Sequence, residues 1–159
     1  MLSPTEPTNR SVGLKILVIL AYLSIFLFLI PQGWHQLWFA LGAISGAGFL
    51  LLDERLFVRW YRERPTDHFL VTRSPLFLLS LLPLAVFVMT SSGSFWASGM
   101  MGSLVLWLLL EMSALRSDPT AFDRRFLQGI SGQVSSPVVS IILSVGWAFF
   151  VLINLLMIY

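Results

Sequence analysis

The stretch that decides the fold is 16-ILVILAYLSIFLFLIPQGWHQLWFALGAISGAGFLLL-52, in which no residue is formally charged. One interruption, Pro31-Gln32-Gly33, divides it. The pattern predicts two helices, over residues 12–30 and 34–52, joined by a tight turn. Nineteen residues at a rise of about 1.5 Å span roughly 28 Å, close to the ~30 Å hydrocarbon thickness of a bilayer. Trp34, His35 and Trp38 open the second helix and suit an interfacial aromatic belt. Pro31-Gln32-Gly33-Trp34 lacks a small-x-small cleavage pattern, so the first span is expected to be retained rather than removed as a signal peptide.

Composition supports this reading. Of 159 residues 57% are hydrophobic and 11% charged, against about 25% charged in a soluble domain. Too little polar surface remains to coat a water-exposed globule, and no separate soluble domain fits. The chain is expected to be all-α: a disordered polar tail over residues 1–11 and a single bundle of about five spans over residues 12–159. Cysteine is absent, which removes disulfides, thiolate metal sites and a cysteine nucleophile. The net charge of +2 lies in short loops beside apolar spans, which points to anionic headgroups and away from nucleic acid.

Downstream of the deciding stretch, residues 53–64 read as a short amphipathic surface helix ended by Pro65. Arg55, Arg59 and Arg62 fall on one face of it, a lipid-headgroup candidate, because guanidinium gives forked contacts to phosphate oxygens. Ser74-Pro75 predicts a capped helix start and a third, short span over residues 75–90, kinked at Pro83. Ser91 to Ser94 turns the chain into a fourth span over residues 95–115. Asp118-Pro119 opens a second short surface helix that Gly129 ends, with Phe122 and Phe126 expected to anchor it in the interface. Ser136-Pro137 starts the fifth span, residues 137–159.

Every Lys and Arg falls on one side of this arrangement: Arg10 and Lys15 before the first span, five arginines between spans two and three, and Arg116, Arg124 and Arg125 between spans four and five. The positive-inside rule makes that side cytoplasmic, with the C-terminus outside.

Small residues four apart mark three spans: Gly42 and Gly46; Ser94, Ser98 and Gly102; Ser140, Ser144 and Ala148. They predict close helix packing within the chain, with homodimerisation or a partner membrane protein as the alternative use.

Glu111 stands out because a carboxylate within a span is costly unless paired or hydrated. The first expectation is an ion pair with an arginine such as Arg55 or Arg73. Asp53 and Glu54 close the second span, and with Glu111 they form the candidate catalytic set. Asp53 and Glu111 are also weak candidates to hold a hard divalent ion. His35 and His68 are expected on opposite sides, and Asn154 is expected to hydrogen-bond a neighbouring helix. No cofactor is expected, and the glycine-loop, HExxH and GxSxG signatures are missing.

Leu50-Leu51-Leu52-Asp53, with Leu106-Trp107-Leu108-Leu109-Leu110-Glu111, resembles two stretches in the small predicted membrane-bound metal-dependent hydrolases and their uncharacterised bacterial relatives. That group carries an Asp-x-Asp-His motif after an early helix and a His-x-x-x-Asp motif on a later one. Asp53 matches the first acid and Glu111 the last, whereas Arg55, Leu56 and Trp107 replace the remaining ligands. The resemblance implies a relative that has lost its hydrolase site. The leading expectation is a small non-enzymatic protein of a bacterial cytoplasmic membrane, with a cationic face for anionic lipid or a partner. A metal-dependent hydrolase using the interfacial acids is the alternative, and a small transporter or channel the third reading.

Overall fold

The computed structural model describes residues 9–30, 32–60, 71–127 and 134–158, with residues 9–11, 54–60 and 158 as backbone only. These residues form six α-helices: α1 (Asn9–Leu29), α2 (Trp34–Trp60), α3 (Pro75–Ser91), α4 (Phe95–Ala114), α5 (Pro119–Phe126) and α6 (Ser136–Ile158). A single 3₁₀ turn, Val71–Arg73, precedes α3. No strand occurs among the described residues. α1, α2, α4 and α6 are long and apolar enough to cross a membrane, and α3 is a shorter apolar helix.

The expected caps are present. The Ser74 hydroxyl accepts from the Phe77 N–H, and the Asp118 carboxylate accepts from the Ala121 N–H, each with proline at the start of the helix. The turn between α1 and α2 is held by the Gln36 side chain, whose amide donates to the Leu27 carbonyl at 2.6 Å. Gly33, with φ of 114°, takes a backbone conformation open chiefly to glycine. Pro83 lies inside α3 without ending it.

Three expectations are corrected. Residues 53–64 do not begin a separate surface helix: α2 runs unbroken through Trp60. No glycine or proline stands between Leu52 and Trp60, and a change from apolar to charged residues does not by itself end a helix. Phe122 and Phe126 do not anchor in the interface: both are fully buried in the protein core, 5.4 Å apart. α5 is too short and polar to hold a place on its own, and its two rings seal the end of the bundle instead. α1 also starts at Asn9, within the stretch expected to be a disordered tail.

α4 is the axis of the bundle. In it 72% of residues are buried, against 22% to 28% in the other three long apolar helices. Its closest neighbour is α2, and glycine is the reason. A Cβ at Gly42 or Gly46 would collide with backbone of α4 at Trp96 and Met100, and one at Gly99 would collide with the Phe39 carbonyl of α2. In hydrocarbon, where no solvent drives apolar helices together, such close approach supplies the packing energy. The residues in register rise together, Gly42 with Trp96 and Gly46 with Met100 and Ser103, so the two helices run parallel. Gly102 makes room for the Tyr22 phenol of α1, which donates to the Asn154 Oδ1 of α6 at 2.9 Å. Ser144 and Ala148, by contrast, face outward.

Gly42→Ala and Gly99→Ala should each destabilise the protein by about 1–3 kcal/mol, the usual range for overpacking. Gly48→Ala, which meets open space, should be neutral or stabilising by up to ~1 kcal/mol through helix propensity. Unfolding in mixed detergent measures all three, and equal behaviour at the three sites would contradict the packing account.

Candidate functional site

The parallel register of α2 and α4 determines where the acids meet. Asp53 lies seven residues beyond Gly46, two helical turns along the same face, and Glu111 lies eight beyond Ser103 on α4. Glycine contact therefore brings both carboxylates to one depth, and both are buried. Between them comes Arg73, whose side chain is 0% exposed.

Arg73 is aimed by local structure. Ser74 caps α3 and also closes the 3₁₀ turn, its N–H and hydroxyl both donating to the Val71 carbonyl at 3.1 and 2.8 Å. Arg73 is the last residue of that turn, and its buried side chain points into the bundle. One end of the guanidinium reaches Asp53 Oδ2 at 3.4 Å, and the other donates to Glu111 Oε2 at 3.1 Å. The Thr72 hydroxyl donates to Asp53 Oδ2 and accepts from Arg73 at 2.9 Å. Glu111 Oε1 also accepts from Arg125 of α5. Lys15 of α1 approaches Glu111 Oε2 at 3.9 Å and lies 5.4 Å from the centre of the Trp107 ring, in cation–π range.

Five segments are thus tied at one point: α1, α2, the 3₁₀ turn, α4 and α5. Such a cluster gives little net stability relative to an apolar core of the same shape. Removing one charged member is costly, because it leaves the others buried and uncompensated.

Arg73 is the sequence-expected partner of Glu111, while Arg55 lies among residues whose side chains are outside the described set. Asp53 and Glu111 come together, but around a guanidinium, so a cation in their midst would have to displace Arg73. Among the described residues no three His, Asp or Glu side chains gather at metal-holding distance. The side chains of Glu54, Arg55 and Arg59 lie outside the described residues, as do Arg62, His68 and Gly129 entirely. His35 packs against Phe95 at 4.5 Å, at the opposite end of the bundle from Glu111.

Sequence reasoning missed Lys15, Thr72 and Arg125 as members. Lys15 was legible as a cation flanking the apolar run that starts at Ile16, and Thr72 as the polar neighbour of Arg73. Arg125 was concealed by the interfacial reading of α5. Two further groups were not foreseen: the Trp107 indole N–H and Asp123 Oδ1 are buried with no hydrogen-bond partner among the described residues. Outside the spans, hydrogen bonds from the Thr120 hydroxyl and the Ala121 N–H hold the Asp118 carboxyl below its ordinary range.

A scan against protein-family models and searches among curated proteins and solved structures found no match to this chain.

Arg73→Met should destabilise the protein by about 3–5 kcal/mol, as expected when one member of a buried ion cluster is removed. The triple variant Asp53→Asn, Arg73→Met, Glu111→Gln should recover much of that loss. Thermal and detergent unfolding compare them, and a triple variant no more stable than Arg73→Met alone would contradict the ion-cluster account.

Proposed function

We propose that this chain is a five-span protein of a bacterial cytoplasmic membrane, with its N-terminus and all its basic residues on the cytoplasmic side, serving a structural or accessory role. Its cationic cytoplasmic end engages anionic lipid headgroups or the acidic surface of a partner membrane protein. One observation carries the non-enzymatic part: Asp53 and Glu111, acids in the candidate catalytic set, have oxygens engaged by Arg73. A carboxylate held by a guanidinium is poorly placed to take a proton from water or to bind a divalent ion. The five spans are α1, α2, α3, α4 and α6. α3, at 17 residues, measures about 26 Å and crosses by drawing the bilayer slightly thinner around it. The orientation rests on the placement of all ten Lys and Arg residues.

The resemblance to membrane-bound hydrolases fits the same reading. Where that group carries metal ligands, this chain carries an ion cluster, and a relative that lost its metal would retain the packing.

Two measurements test the proposal. Cysteine placed at Ser92 should react with an impermeant reagent added to intact cells and cysteine at Thr66 should not; the reverse pattern overturns the orientation. Replacing Arg55, Arg59 and Arg62 by Gln should weaken binding of anionic lipid by about 1 kcal/mol per residue. Undiminished retention of anionic lipid in native mass spectrometry would remove the headgroup-facing role.

A further inference from the structure

A cleft of about 480 Å³ runs between α3 and α6, with α4 as its floor. Its lining is almost wholly apolar. Leu108, Leu109 and Met112 form the buried floor, while Leu79 and Val145 stand exposed on the two walls. Along α6 the lining runs from Ile141 to Phe149, about 12 Å at helical rise. Half of a ~30 Å hydrocarbon layer is about 15 Å, so the cleft matches the depth of one leaflet.

Its position selects the leaflet. The lining draws on the first half of α3 and the second half of α4, the halves nearest the ion cluster and the basic residues. Pro75, Met112 and Leu127 line the cleft, and each lies within two residues of a cluster member: Arg73, Glu111 and Arg125. Arg124 stands exposed on α5, three residues before Leu127 and within electrostatic reach of the Asp118 carboxylate. The Oδ1 of the neighbouring Asp123 is buried in the protein, away from solvent. An apolar slot about one leaflet deep, with the exposed Arg124 three residues from its lining residue Leu127, suits a molecule with an acyl chain below and a phosphate above.

We propose that the α3–α4–α6 cleft is a phospholipid site: one acyl chain of an anionic phospholipid lies in the cleft and Arg124 takes its phosphate. The proposal rests on the orientation and headgroup-facing reading given above, and it adds a single defined site to that general attraction. The lipid would wedge α3 against α6 at the level of the ion cluster, so its presence would stiffen the end of the bundle presented to a partner.

The test uses the full chain reconstituted with equal phosphatidylglycerol and phosphatidylcholine, released into mild detergent, and read by native mass spectrometry. The wild-type protein should retain one phosphatidylglycerol. Val145→Trp fills the cleft from an exposed wall and should lower retention of either lipid about tenfold, a change of about 1.4 kcal/mol. Arg124→Gln should leave the chain seated but reduce the preference for phosphatidylglycerol about fivefold, the loss of one headgroup cation. Val145→Trp with wild-type retention, or Arg124→Gln with unchanged preference, overturns the site. The Arg55, Arg59, Arg62 variant separates the two levels. If it alone loses anionic lipid, the general reading stands and the cleft site falls. If Val145→Trp alone loses it, the cleft stands and the broader headgroup role falls.

Discussion

A guanidinium with no exposure to solvent sets the terms for the rest of this structure. Arg73 cannot be placed in a low-dielectric interior without counter-charges, and the counter-charges cannot be there without it. Asp53, Glu111 and Arg73 are therefore admitted together or not at all. The elements that carry them are fixed relative to one another at that end of the bundle: α2 by Asp53, α3 by the 3₁₀ turn, α4 by Glu111. α5 is tied to the same point through Arg125, and α1 through Lys15. This explains why an eight-residue helix with little packing surface of its own has a defined place. Phe122 and Phe126 bury on one face of α5 while Arg125 closes the ion cluster.

The cluster depends in turn on glycine. The two acids meet at one depth because Gly42, Gly46 and Gly99 let α2 and α4 run in close parallel register over the turns before them. A wider separation would leave Asp53 and Glu111 too far apart for one guanidinium to bridge. Further along the bundle the same economy appears in the Tyr22–Asn154 hydrogen bond, which Gly102, inside α4, makes possible by leaving space for the phenol. The bundle is thus held by glycine contact between α2 and α4, by the ion cluster at one end and by a polar tie in its interior.

Much of this was legible in the sequence, for reasons that differ by element. Apolar runs of bilayer length and the Ser74-Pro75 and Asp118-Pro119 starts are local signals, and all appear in the structure. Glu111 stood out because an acid in an apolar run has few low-energy explanations, and Arg73 was nameable because it ends a loop next to a span. Lys15 and Arg125 were missed because partner choice depends on which helices adjoin, and hydropathy does not encode that. Phe122 and Phe126 were misplaced for a related reason: a short amphipathic helix can turn its apolar face to lipid or to protein, and both choices give the same sequence pattern. The end of α2 was misjudged because a change from apolar to charged residues was taken as a boundary, and the helix runs on through Trp60.

The most direct test of the central role given to Arg73 is hydrogen exchange at its guanidinium, followed by NMR in detergent micelles with selectively labelled arginine. A side chain buried among Asp53, Thr72 and Glu111 should exchange far more slowly than exposed Arg116 and should give separate, shifted Nη signals. Glu111→Gln should collapse that protection while leaving the Arg116 signal unchanged. An Arg73 guanidinium that exchanges as fast as Arg116 in the wild-type protein would contradict the account.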